Sequence, residues 1–208
     1  MRKPQDADQF IQQQKDILKE NPECANAYYN VGIKLLQEGR LEEAAEAFEN
    51  AVANSGRMFE GCVNLGYIHF RWGNLEKVVE YNKKAVGIEP RYARGYANIG
   101  FAYLQMSRTD EAIEALEKAI MLNPDIAQAW TNLGNAYLQK GDVDKAIEVG
   151  EKLVEKAPSF GLAHNNLANA YYVAGEYSKA IRHADKALEL GFEVHPDFLK
   201  ELESHRSK

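Results

Sequence analysis

The chain has 208 residues, with 25 Lys+Arg against 31 Asp+Glu and a formal net charge of −6. That balance offers no general attraction to nucleic-acid phosphates or anionic membranes, and no apolar run approaches the ~20 residues a membrane span needs. Two cysteines, Cys24 and Cys62, are too few for a disulfide framework and fit a reducing compartment. No apolar stretch follows Met1-Arg2-Lys3, so no signal peptide is read. A cytoplasmic protein with no membrane insertion and no nucleic-acid binding is the expectation.

The first predicted element is a helix over residues 6–20, followed by Asn21-Pro22, with Phe10, Ile11, Ile17 and Leu18 as its apolar face. From Ala25 the sequence repeats without a gap in five rows of 34 residues: 25–58, 59–92, 93–126, 127–160 and 161–194. Each row reads as two helices. The first covers columns 2–14, with apolar or aromatic residues at columns 4, 7 and 11, which is one face of an α-helix. Column 15 ends it with Gly39, Gly73, Ser107, Gly141 and Gly175, because glycine takes the left-handed conformation a helix C-terminus needs. An acidic residue at column 18 (Glu42, Glu76, Asp110, Asp144) suits the positive end of the next helix. That second helix runs to about column 30 and stops near the column 32 prolines, Pro90, Pro124 and Pro158.

Three columns hold small residues. Column 8 reads Gly32, Gly66, Gly100, Gly134 and Ala168; column 20 reads Ala44, Val78, Ala112, Ala146 and Ala180; column 27 reads Ala51, Ala85, Ala119, Leu153 and Ala187. Small contact residues let two helices pack at the close end of the ~8–10 Å range. A mid-helix glycine costs about 1 kcal/mol against alanine, so close approach at column 8 outweighs it. Row four carries Gly150 at column 24 and Leu153 at column 27, so small and large have traded places. Residues 196–206 continue the register as a last helix, with Phe198 at column 4 and Leu202 at column 8.

A large residue, a Leu-Gly pair, a Tyr, an Ala and a Pro stand in row four as Trp130, Leu133-Gly134, Tyr137, Ala146 and Pro158. This pattern resembles the tetratricopeptide repeat (TPR) family over residues 25–194. The resemblance implies an all-α, right-handed superhelical solenoid of five helix-turn-helix repeats, with first helices lining a concave groove and second helices the convex face. Residues 1–24 would then hold an N-terminal capping half-repeat, and 195–208 a C-terminal capping helix and tail, since solenoid ends need their last apolar face covered.

No enzyme motif is present. The glycines sit at repeat columns and form no phosphate-binding loop, and no metal-binding spacing such as C-x-x-C or H-E-x-x-H occurs. No cofactor is expected. The second-helix acids, among them Glu42, Glu43, Glu46, Glu49, Glu114 and Glu117, read as a solvated outer face. His69 (column 11) and His164 (column 4) replace aromatic core residues. Cys62 and His69 share one helix face, but two ligands fall short of the four usual at a structural metal site. The expectation is a polar-substituted core with His69 hydrogen-bonded to Asn82.

The most regular polar feature is column 6, asparagine in every row: Asn30, Asn64, Asn98, Asn132 and Asn166. By the resemblance this column faces the groove. A carboxamide accepts and donates, so it can serve both the N–H and the C=O of an extended backbone. An asparagine ladder binding a partner's peptide segment is the functional expectation, and ordering of the helix pair is the alternative. The resemblance places specificity at columns 2, 5, 9, 12 and 13. There Tyr29, Tyr67, Phe70 and Phe101 would receive apolar side chains, Arg71 and Arg94 would add charge, and Asn135 would begin an amide-rich half with Asn165 and Asn169. Tyr29 and Tyr67 are expected to be exposed; Ile33 and Leu36 either line the groove or pack inward. Some TPR co-chaperones clamp a chaperone's terminal carboxylate with Lys and Asn in the first contributing repeat. Tyr29 and Ile33 stand at those columns, and only Asn64 and Arg94 match the rest, so that clamp is not expected. The reading is a non-enzymatic interaction module or adaptor; the alternative is a scaffold that assembles with copies of itself.

Overall fold

The computed structural model describes residues 5–206. Among the described residues there are twelve α-helices and no strand. After α1 (Gln5–Glu20) come α2 (Ala25–Gln37), α3 (Leu41–Asn54), α4 (Phe59–Arg71), α5 (Leu75–Ile88) and α6 (Ala93–Gln105). Then follow α7 (Thr109–Leu122), α8 (Ala127–Lys140), α9 (Val143–Lys156), α10 (Gly161–Val173), α11 (Tyr177–Glu189) and α12 (Pro196–Arg206). The chain divides into two compact units, Met1–Gly95 and Tyr96–Lys208.

One closure ends each first helix. The Gly39 N–H donates to the Leu36 carbonyl (3.1 Å) and the Arg40 N–H to the Leu35 carbonyl (2.9 Å), capping carbonyls that the helix itself leaves open. The same pair of bonds recurs at Gly73/Asn74, Ser107/Arg108, Gly141/Asp142 and Gly175/Glu176. It needs positive φ at column 15, which the glycines adopt between 72° and 85° and Ser107 adopts at 59°. Ser107 is the one non-glycine with positive φ among the described residues.

Column 8 sets how closely the two helices of a repeat approach. A Cβ built on Gly32 would lie 2.6 Å from the Phe48 ring, on Gly66 2.7 Å from Asn82 Nδ2, and on Gly100 2.5 Å from Leu116 Cγ. Phe48, Asn82 and Leu116 all stand at column 24 and are essentially inaccessible to solvent. Row four departs from this: with Gly150 at column 24, a Cβ on Gly134 meets nothing nearer than 3.9 Å.

In the first unit, Ile11, Val31, Leu35, Phe48, Leu65, Ile68 and Tyr81 form the core. Of the expected apolar face of α1 only Ile11 is buried; Leu18 is half-buried, while Phe10 and Ile17 are exposed. The reason is register. Phe10 and Ile17 stand at columns 20 and 27, which in each complete row pack against the row's own first helix, and among the described residues no first helix precedes α1. In the second unit, Leu167, Ala168, Tyr171, Ala180, Ala184 and Leu202 form one cluster, closed by α12. The Arg206 Nη1 donates to Asp185 Oδ2 (2.9 Å), tying α12 to α11.

Candidate peptide-binding face

On α4, Asn64, Tyr67, Phe70 and Arg71 recur at helical spacing and share one face. Tyr67 and Phe70 are 46% and 48% exposed, a large apolar area to leave in water. Arg71 Nη1 donates to Tyr67 Oη at 3.0 Å, with the guanidinium 6.0 Å from the ring centroid. Asn64 Nδ2 donates to the Glu60 carbonyl one turn back (2.9 Å). Arg94, in the first turn of α6, is exposed.

On α2, columns 9 and 12 lie deeper than on α4. Tyr29 is half-buried with its ring 5.7 Å from that of Phe48, so its expected exposure does not hold. Phe48 fills the space that Gly32 leaves open, and Tyr29 settles on its edge. Ile33 and Leu36 also pack against this core, which settles that alternative toward packing. Asn30 is exposed and donates to Gln14 Oε1 of α1 at 3.1 Å.

In the second unit the column-6 asparagines differ among themselves. Asn98 is exposed, whereas Asn132 is 5% exposed and accepts from Gln128 Nε2 (3.0 Å). Asn166 Nδ2 donates to Asn135 Oδ1 and Asn165 Nδ2 to Asn166 Oδ1, both at 3.3 Å, which links three carboxamides across α8 and α10. Phe101 is half-buried. Thr131, at column 5, is buried with its hydroxyl donating to the Ala127 carbonyl.

Several polar partnerships were not anticipated. The outer acids are exposed, and three of them also accept from tyrosines: Tyr137 Oη donates to Glu117 (2.7 Å), Tyr171 Oη donates to Glu151, and Tyr81 Oη donates to Glu49 (3.2 Å). Burial and then the adjacent carboxylate push the Tyr137 phenol up to about 12. Each bond ties a helix to the second helix of the preceding repeat. For Tyr137 and Tyr171, column 11 (Tyr) and column 25 (Glu) carried that signal in the sequence; Tyr81 stands at column 23. The expected His69–Asn82 bond is absent: Asn82 Nδ2 donates to the Val78 carbonyl instead (2.8 Å). Both ring nitrogens of His69 are buried without a partner, and the ring stacks on Tyr81 at 5.3 Å. Burial lowers its pKa.

His164 is buried, as a replacement for a core aromatic should be. Its Nε2 lies 3.1 Å from the Pro158 carbonyl, repeating the bond from Trp130 Nε1 to the Pro124 carbonyl (2.8 Å). A carbonyl only accepts, so Nε2 carries the proton and Nδ1 accepts from His183 Nδ1, 3.0 Å away. Burial, then the neighbouring His164, bring the His183 pKa down to about 4. Among the described residues no three His, Cys, Asp or Glu side chains are grouped to hold a metal ion, and no helix is long and apolar enough to cross a membrane.

Paired helices repeating every 34 residues, locked by glycine contacts within a repeat and Tyr–Glu bonds between repeats, define an α-helical repeat protein. Family profiles described as tetratricopeptide repeat match residues 15–59, 35–93, 98–159 and 161–190. The chain belongs to the tetratricopeptide repeat family, whose members are protein-interaction modules and in general not enzymes. Among solved structures it is similar to MamA, at 30% identity and a TM-score of 0.76 over 81% of this chain and 92% of that one. YrrB, described as a TPR protein with an unusual peptide-binding site, has a TM-score of 0.77 at 20% identity, over 93% and 97% of the two chains. PilF of Pseudomonas aeruginosa has a TM-score of 0.68 at 24% identity, over 83% and 78%. No curated protein matches the chain in sequence.

Proposed function

We propose that the protein is a cytoplasmic, non-enzymatic adaptor that holds an extended segment of a partner protein along its first helices. The observation that carries this reading is the state of the column-6 carboxamides. Asn30 and Asn64 each spend one N–H, on Gln14 and on the Glu60 carbonyl, and their oxygens accept nothing among the described residues. An extended peptide rises ~3.3 Å per residue and neighbouring helices sit ~10 Å apart, so successive asparagines meet about every third peptide amide. In the second unit Asn98 is exposed at the same column. Asn132 contributes from beneath Gln128, and Asn166 and Asn135 through their shared amide network. Tyr67, Phe70 and Phe101 supply apolar contact, and Arg71 and Arg94 supply charge.

The double variant Asn64→Ala with Asn98→Ala is expected to weaken partner capture by about tenfold or more, the loss of one to two net hydrogen bonds. Asn64→Ala alone should barely move the melting temperature, because that side chain bonds only within its own helix. A folded double variant that captures the same partners with unchanged affinity would sink the ladder.

One observation favours a second reading, assembly with copies of the same chain. Phe10 and Ile17 are 37% and 44% exposed at columns that are buried in each complete row. Light scattering of the intact protein and of Phe10→Ser with Ile17→Ser decides it: assembly requires a concentration-dependent oligomer that the variant loses. A wild-type monomer at high concentration removes this reading.

A further inference from the structure

We propose that the exposed face of α4 reads an acidic residue flanked by a large apolar one in the bound peptide. This inference rests on the peptide-binding reading above and names the chemistry of the partner. The acid is an internal Asp or Glu side chain. Arg71 and Tyr67 hold its carboxylate together, and the apolar neighbour lies across the Tyr67 and Phe70 rings.

Three features converge on that chemistry. The first is unspent donors. Arg71 makes no ion pair with any described carboxylate, whereas Arg40, Arg108 and Arg206 are held by Glu43, Glu111 and Asp185. The Tyr67 hydroxyl accepts from Arg71 Nη1, which leaves its own O–H without an acceptor among the described residues. A guanidinium and a phenol O–H side by side offer one carboxylate two directed, charge-assisted bonds. The second is exposed ring area. Tyr67 and Phe70 lie three residues apart and stay outside, while Ile33 and Leu36 at the same columns of α2 pack on the core. The third is charge. The chain carries a net −6, so an acidic ligand is repelled in general and gains only beside unpaired cations. Arg57, Arg91 and Arg94, in the same unit, are also exposed with no ion pair to a described carboxylate, and of these Arg94 is the one on a first helix.

A free chain terminus fits less well. Its two oxygens and adjacent amide want donors from neighbouring helices, and the matching columns of α2 hold Tyr29 and Ile33, both packed inward. Asn64, one turn before Tyr67 on the same face, would take the backbone beside the acid through its unused carboxamide oxygen.

The test uses short, fluorescently labelled, C-terminally amidated peptide pools added to the full-length protein, read by anisotropy. One pool mixes Gly and Ser with Glu and Phe/Leu, a second has Lys in place of Glu, and a third has Glu without the apolar residues. The first pool should bind about tenfold tighter than either other pool, a difference of about 1.4 kcal/mol. Arg71→Gln should abolish its preference over the Lys pool, and Tyr67→Phe should weaken the Glu pool by a few-fold while sparing the Lys pool. Equal binding of the Glu and Lys pools, no binding of the Glu pool at millimolar peptide, or indifference to Arg71→Gln overturns the proposal. So does a Glu pool that binds only as free acids. The asparagine double variant separates the two readings. If it weakens both charged pools equally and Glu is not preferred, this inference fails and the ladder stands. If Glu is preferred in both proteins at the same affinity, the ladder fails and this inference stands.

Discussion

Alanine at Gly100 should destabilise the protein while alanine at Gly134, the same column one repeat later, should stabilise it. Both glycines stand in the middle of a first helix, where alanine by itself gains about 1 kcal/mol in helix propensity. The packing decides the sign. At position 100 the new Cβ falls 2.5 Å from Leu116 Cγ, 2.9 Å from Leu116 Cδ2 and 3.1 Å from the Ala112 carbonyl oxygen. Leu116 is fully buried and the carbonyl belongs to the facing helix, so α6 and α7 must part or Leu116 must leave its rotamer. Overpacking of this kind costs about 1–3 kcal/mol. The net expectation is a loss of up to about 2 kcal/mol once the propensity gain is counted. At position 134 the nearest atoms are 3.9 Å away, so only the gain of about 1 kcal/mol remains. Chemical denaturation of the two single variants measures this directly. Shifts of the same sign would mean that column 8 is not governed by its column-24 neighbour.

That contrast shows what the sequence could and could not reveal. Helix ends were legible because column 15 has to carry positive φ, and only the serine at 107 stood out from its column. The Gly150–Leu153 exchange was legible too, since volume is conserved along a packed face. Depth was not. Periodicity assigns a residue to a face, but Tyr29 is sunk against Phe48, and Ile33 packs on the core while Tyr67, at the same column, stays exposed. Nor did an invariant column imply five equal asparagines. Their partners, Gln14 and Gln128, lie outside any repeated column, so nothing in the pattern marked Asn30 as exposed and Asn132 as covered. The outer acids were read as solvated because charge suggests water. Glu49, Glu117 and Glu151 are exposed as that reading expects and accept from tyrosines as well; for Tyr137 and Tyr171 the paired column 11 and column 25 residues were the available sign.

The row that breaks this pairing makes the second large prediction. His69 occupies the column where Tyr137 and Tyr171 bond to the glutamate of the preceding repeat, and the corresponding glutamate, Glu49, is engaged by Tyr81. His69→Tyr should therefore stabilise the protein by about 1–3 kcal/mol at pH 7.5, the cost of leaving buried polar atoms unsatisfied. Two carboxylate oxygens on Glu49 can accept both phenols, and the column already holds buried tyrosine at 103, 137 and 171. The gap between variant and wild type should widen in acid. Burial lowers the His69 pKa; Glu49 and Glu80 favour its charged form and Lys77 opposes it, but burial is the largest cause. The folded state thus holds this proton less tightly than the unfolded chain. Its contribution to stability is complete above 6.5, the ordinary histidine value, and is lost as the pH falls through the lowered folded value. His183 behaves likewise, with a window from 6.5 down to about 4, so an acid-sensitive slope should persist in the variant. Denaturation curves collected from pH 7.5 to pH 4 test the argument. A wild type that gains stability relative to His69→Tyr on acidification would show that the imidazolium finds Glu49 and that attraction outweighs burial.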